Sequence, residues 1–211
     1  MGAPVLTVGK DERAVEGLLV SGGLRCPGCG GRLARWGHAR RRMVFGPGRR
    51  GRAVRPRRSR CSGCGVTHVL LPVFVLARRP DEARVIGAAL AGAARGWGHR
   101  RIARDLAVPE GTVRGWLRRF AGRAGLVREV FTRVAVVLSP DPVPLEPAGS
   151  PLADGVVAVA AAAAAVAGRW PALLMASPWE IACAVTSSTL MAPVITSAAF
   201  NASSPLPLPG R

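Results

Sequence analysis

The chain has 211 residues, 49% of them hydrophobic and only 5% aromatic, with no Tyr, 26 Gly and 18 Pro. That is room for one ordinary domain or two small ones; it excludes a wholly disordered tail and predicts short elements joined by long connections. The 30 basic residues, 29 of them Arg, against 12 acidic ones give a formal charge of +18, which points to polyanionic partners.

The charge is unevenly placed. Between Glu16 and Asp81 stand fifteen Arg and no acidic residue, whereas only Arg169 and Arg211 follow Arg133. GC-rich coding would favour Arg and Ala everywhere and does not produce such a partition, so the clustering is the informative part.

Residues 1–23 are read as an N-terminal segment. It mixes Gly, Pro and acidic residues and lacks the basic start and apolar core of a signal peptide, so the expectation is a cytoplasmic protein. Residues 24–79 hold four of the five Cys in two matching knuckles, Cys26-Pro-Gly-Cys29-Gly and Cys61-Ser-Gly-Cys64-Gly. Zinc takes four soft ligands at tetrahedral corners, and each tight turn can present two thiolates. Structural disulfides are rare in the cytoplasm, so Cys26, Cys29, Cys61 and Cys64 are the expected ligands of one structural Zn2+. Four thiolates would also accept iron or cadmium. The 31 residues between Cys29 and Cys61 exceed the commonest spacing and call for a β-excursion, with Gly46-Pro47-Gly48 turning one strand into the next. His38 and His68 lie near the knuckles and could substitute as ligands, but with four Cys present they are read as surface or phosphate-facing residues. Cys183 is read as a small buried hydrophobe.

Twelve Arg stand between the knuckles without one acidic neighbour in the run, and they repel one another unless an anion is present. Arg41, Arg42, Arg55, Arg57, Arg58 and Arg60 are the candidate phosphate contacts here.

Residues 80–134 carry helical periodicity. Helix one begins at Pro80-Asp81-Glu82, with acidic residues at its positive end and Val85, Ile86, Ala89, Leu90 and Ala93 on one face. A short helix from His99 to Leu106 turns Ile102, Ala103 and Leu106 inward and breaks at Ala107-Val108-Pro109. A third, from Glu110 to Gly122, buries Val113, Trp116, Leu117 and Phe120. This spacing is that of a three-helix helix-turn-helix, with Ala107 at a turn position that often holds Gly. On the exposed face Thr112 and Arg114 are best placed for base edges and Arg118 and Arg119 for phosphates, joined by Arg100 and Arg101 on the preceding helix. Gly111 and Gly115 each cost the last helix about 1 kcal/mol relative to Ala, so it is expected to form fully only when docked.

Residues 135–151 are a Pro-rich linker. Residues 152–200 form an Ala-rich helical region, with Ser177-Pro178-Trp179-Glu180 as a helix start, and 201–211 a disordered tail. The longest apolar run, residues 156–167, is twelve residues, too short to span a bilayer. The expected fold class is therefore α+β: an N-terminal four-cysteine zinc ribbon of short antiparallel β, a central helix-turn-helix, the linker, and Ala-rich C-terminal helices.

Cys-Pro-x-Cys, then Trp36-Gly37-His38, an Arg-rich strand ending Arg58-Ser59-Arg60-Cys61-x-x-Cys64, and Ile-Ala-Arg-Asp-Leu followed by Thr-Val-Arg-Gly-Trp-Leu-Arg-Arg together resemble the N-terminal part of insertion-sequence transposases with a zinc ribbon. The likeness is closer still to an uncharacterised family of short proteins from GC-rich bacteria in which ribbon and helix-turn-helix stand without a transposase. It covers about residues 24–120. It implies the same four Cys as ligands and a reading helix containing Thr112, Arg114 and Arg118. Transposases of this kind cut DNA with carboxylates that hold two metal ions, and after Arg133 only Asp141, Glu146, Asp154 and Glu180 remain. With no Gly-x-Ser-x-Gly, no phosphate-binding loop and only three His, the chain is not expected to be an enzyme. The expected function is zinc-dependent binding of duplex DNA by a regulator or accessory factor of mobile-element origin, a homodimer being compatible with it and no membrane expected. RNA binding through the ribbon and partner binding through the C-terminal helices are the alternatives.

Overall fold

The computed structural model describes residues 3–192 and has an α+β fold. The predicted tail, 201–211, and the last part of the Ala-rich region, 193–200, lie outside the described residues. The chain divides into two compact units, one of residues 1–44, 52–80 and 183–211, the other of 45–51 and 81–182.

The first unit contains β1 (Val5–Val8), α1 (Glu12–Ser21), β2 (Leu33–His38), most of β3 (Arg42–Phe45) and β4 (Gly51–Val54), β5 (Arg57–Cys61) and β6 (Thr67–Pro72). β2, β5 and β6 pair antiparallel, and β1 joins β6 in parallel, giving the order β1-β6-β5-β2. The N-terminal segment is thus part of the ribbon's core and not a separate stretch. Leu6 and Val8 of β1 and Val15 and Leu19 of α1 bury with Leu24, Leu33, Leu70, Cys26 and Cys61 in one cluster, supplying the apolar surface that a ribbon alone lacks. Asp11 starts α1 by accepting from the Arg13 N–H at 2.9 Å, and Gly22 ends it at φ 72°. β3 and β4 form a two-stranded hairpin closed by the Gly46 N–H on the Arg50 carbonyl at 2.9 Å, at the expected turn. Val44 and Val54 bury with Phe74 and Val75. Cys183 is buried as expected, its carbonyl accepting from the Thr7 hydroxyl at 3.2 Å.

The second unit is helical: α2 (Ala83–Ala94), α3 (His99–Leu106), α4 (Glu110–Ala121), α5 (Ala124–Leu138), α6 (Pro151–Arg169) and the first part of α7 (Pro178–Val185). α3 and α4 begin where periodicity places them, and the apolar stripe is buried at Val85, Ile86, Ala89, Leu90, Ile102, Ala103, Val113, Trp116 and Phe120. α4 is continuous despite Gly111 and Gly115. Asp81 and Glu82 precede α2 instead of forming its first turn. Asp81 is buried and receives the Arg49 guanidinium from the hairpin tip. Burial pushes the Asp81 carboxyl up from its usual range, and Arg49 opposes the shift.

Three boundaries differ from expectation. The 80–134 region holds a fourth helix, α5, which runs through Leu138 into the supposed linker. The Pro-rich stretch from 139 to 150 has no helix or strand, but it joins two helices of the same unit: Arg128 reaches the Leu145 carbonyl at 3.4 Å and Asp154 at 3.1 Å, and Asp154 accepts from the Ala148 N–H at 2.6 Å. The Ala-rich region is not a separate part either, because α6 packs along α5 and against α2. Gly155 permits the close approach, since a Cβ there would sit 3.2 Å from the Phe120 ring and 3.4 Å from the Ala124 carbonyl. α6 is 19 residues long with a mean hydropathy of 1.7, long and apolar enough to cross a membrane by length and composition; the twelve-residue run understated it. α7 begins with the expected reciprocal cap, Glu180 N–H to Ser177 Oγ at 3.2 Å and Ser177 N–H to Glu180 Oε2 at 2.8 Å.

Candidate metal centre and basic surfaces

The two knuckles fold alike. The Gly30 N–H meets the Cys26 carbonyl at 2.9 Å and the Cys26 N–H the Gly31 carbonyl at 2.8 Å; the Gly65 N–H meets the Cys61 carbonyl at 3.1 Å and the Cys61 N–H the Val66 carbonyl at 2.9 Å. Gly30 and Gly65, directly after the second Cys of each pair, have φ of 71° and 72°, a conformation costly to any residue with a Cβ. This explains the repeated Cys-Gly in the sequence.

Pairing of β2 with β5 brings the knuckles together. Cys26 and Cys64 Sγ lie 3.7 Å apart, Cys29 and Cys61 Sγ 3.4 Å, and all four sulfurs fall within 4.8 Å of one another. A tetrahedral ion with bonds of about 2.3 Å separates its sulfurs by about 3.8 Å, so the four Cys can hold a metal ion. The backbone is shaped around the sulfurs: the Gly63 N–H points at Cys61 Sγ from 3.3 Å, and a Cβ on Gly31 would lie 2.8 Å from that sulfur. The Cys61 thiol is held down to about 6 by the Cys64 backbone N–H, helped by the Cys29 thiol and the Gly63 N–H and opposed by burial. For Cys29 the Gly31 N–H pulls down, yet the thiols of Cys61 and Cys64 together leave it raised. Cys26 and Cys61 are buried and Cys29 and Cys64 exposed. Four protein sulfurs fill a tetrahedron and leave no position for substrate.

His68 departs from expectation. It is buried at 2% exposure, with Nε2 3.4 Å from Cys26 Sγ. Burial holds the His68 imidazole below its ordinary pKa and so favours the neutral ring. His38 is exposed, beside the Arg57 guanidinium.

The Arg run is less free than its sequence suggests, because carboxylates from outside the run reach it. Glu16 of α1 takes Arg57 Nε at 2.7 Å and Arg35 Nε at 3.2 Å, and Asp81 takes Arg49. Arg57, expected as a phosphate contact, is thus paired with Glu16 in this structure. Arg41, Arg55 and Arg60 are exposed and Arg42 and Arg58 half-buried. Arg42 Nε and Nη2 and Arg58 Nε are buried without a hydrogen-bond partner among the described residues, and Arg40, Arg41, Arg42 and Arg78 line an open groove of about 890 Å³.

In the helical unit Arg114, Arg118 and Arg119 of α4 are exposed and Thr112 half-exposed. Arg119 Nη1 bonds to the Gly115 carbonyl at 3.1 Å. Arg100 stands 3.8 Å from Glu110, and Arg101 pairs with Asp105 at 3.7 Å while lying 4.0 Å from the centre of the Trp97 ring. Ala107, between α3 and α4, has φ 52° and ψ 42°.

Residues 26–116 match a family described as a domain of unknown function (DUF6431). No curated protein and no solved structure matches the chain. The similarity thus spans both Cys pairs, α2, α3 and the first half of α4, ending at Trp116.

Proposed function

We propose that the chain is a zinc-dependent DNA-binding protein of mobile-element origin that acts in the cytoplasm as a regulator or accessory factor, related to the DNA-binding part of insertion-sequence transposases. Zinc is the ion that the sulfur spacing suits, and it would supply folding energy and no chemistry. α3 and α4 act as a helix-turn-helix, with α4 in the major groove.

The observation that carries this reading is the outer face of α4. Thr112, Arg114, Arg118 and Arg119 stand on it opposite the buried Val113, Trp116 and Phe120, and Glu110, the one acidic residue on α4, lies within 3.9 Å of His99 and 3.8 Å of Arg100. Such a face has donors for base edges near its N-terminus and guanidinium groups for phosphates further on. Thr112, Arg114 and Arg118 would read bases; Arg41, Arg42, Arg55, Arg58, Arg60, Arg100, Arg101 and Arg119 would hold phosphates, and Arg57 would do so on exchanging Glu16 for a phosphate. A non-catalytic role is supported by the C-terminal carboxylates, because Asp154 is bound to Arg128 and the Ala148 N–H, and Glu180 to the Ser177 N–H.

Selection from a random duplex DNA library with the metal-loaded full-length protein, at near-physiological salt, tests the reading. The expected result is an enriched motif of about one major-groove site, in which Arg114→Ala flattens the preference at one position. Retention without enrichment would overturn sequence reading, and no retention would overturn DNA binding.

A further inference from the structure

The sheet of the first unit ends in β2, and the pairing of β2 with β5 is interrupted once. Arg35 lies opposite Ser59 and Gly37 opposite Arg58, so Trp36 is an extra residue in a β-bulge. Gly37 has φ of 102°, a conformation that only glycine adopts without strain. Bulges re-aim a side chain, and this one places the indole at 51% exposure.

The indole is also furnished. Arg60 lies with its guanidinium carbon 4.7 Å from the ring centre, and its Nε donates to the Gly65 carbonyl at 3.2 Å. Arg60 precedes the ligand Cys61 and Gly65 follows Cys64, so the second knuckle holds the cation against the ring. Arg58, two residues before Arg60 on β5, points to the same side of the sheet. Arg35 and Arg57, by contrast, are occupied by Glu16. The ring thus stands in a positive surrounding that disfavours cationic ligands and favours a flat, electron-rich group attached to anions.

We propose that Trp36 is a stacking platform for an unpaired nucleobase, with Arg58 and Arg60 holding the phosphates beside it. The assignment rests on the nucleic-acid reading above and extends it from duplex DNA to DNA with a single-stranded portion. Stacking is available to every base, so the site adds affinity and not sequence preference.

The test compares a blunt duplex with the same duplex bearing a short thymidine tail, both titrated against the metal-loaded full-length protein by fluorescence anisotropy. The expected result is about tenfold tighter binding of the tailed duplex, a gain lost in Trp36→Leu, kept in Trp36→Phe, and accompanied by unchanged affinity for the blunt duplex in both variants. A tail that brings no gain to the unaltered protein, or a gain that survives Trp36→Leu, overturns the platform while leaving duplex binding intact. Binding of the tail alone in a Trp36-dependent way, with no binding of the blunt duplex, supports the platform and overturns the duplex reading. A 5-bromodeoxyuridine tail irradiated on the unaltered protein gives a readout independent of folding in the variants: cross-linking at Trp36 is expected, and cross-links confined to other residues contradict the site.

Discussion

The buried His68 imidazole lies beside Cys26, a sulfur of the group that could hold a metal ion, where it would help orient that ligand. Outer groups of this kind change metal affinity by about 10- to 100-fold, so, if the proposed zinc occupies the site, His68→Ala is expected to weaken its binding by that order in competition with a chelator; an unchanged affinity would reduce His68 to packing. The sulfur ligands themselves are legible in the sequence, because each knuckle is local and its Gly positions follow from the turn it must make. His68 was not legible as a partner of Cys26, since the two are brought together only by the register of β6 against β5. Ala107 is a residue where sequence and structure agree. It occupies the left-handed region in a turn between two helices, where an L-residue is penalised by roughly 1–2 kcal/mol and glycine is not. After the entropic cost of glycine, Ala107→Gly should stabilise the helical unit by about 1 kcal/mol, raising the melting temperature by about 2–4 °C. A lowered melting temperature would contradict that turn geometry.

Among the elements, α5 and α6 show why a Pro-rich stretch is a poor guide to domain boundaries. Prolines end helices and keep a connection extended, but they do not say whether the flanking helices go separate ways. Here Val127, Phe131, Val134 and Leu138 of α5 and Ala158, Val159, Ala162 and Val166 of α6 are all buried, and the Arg128–Asp154 pair spans the connection. The small side chains of α6 that gave no recognisable function in the sequence are what allow two helices to lie close. Deletion of residues 139–211 should therefore abolish cooperative thermal unfolding of the helical unit in circular dichroism. A truncated protein that melts as cooperatively as the full chain would restore the view of the Ala-rich region as an independent part. α3 and α4 were legible because their apolar periodicity is undisturbed. β1 and α1 are short, and their local signals are only the apolar run Val5-Leu6-Thr7-Val8 and the Asp11 and Gly22 caps.

For the whole molecule the charge partition is the property that survives folding with the least loss. Glu16 and Asp81 remove Arg35, Arg49 and Arg57 from the pool, while Arg41, Arg55, Arg60, Arg100, Arg114, Arg118 and Arg119 remain exposed. Linear sequence overstated the free charge because the two carboxylates lie just outside the run. On the proposed reading these residues would contact the phosphate backbone of duplex DNA, and the signature of such binding is release of counterions. The most direct measurement is the affinity of the metal-loaded full-length protein for duplex DNA across a series of salt concentrations, repeated with Arg118→Ala and Arg119→Ala. For a protein that contacts the phosphates, log K is expected to fall linearly with log salt, with a slope near −0.9 for each phosphate contacted, and each substitution to make the slope shallower by about 1. A response that stays flat with salt, or a slope that neither substitution moves, would contradict that contact.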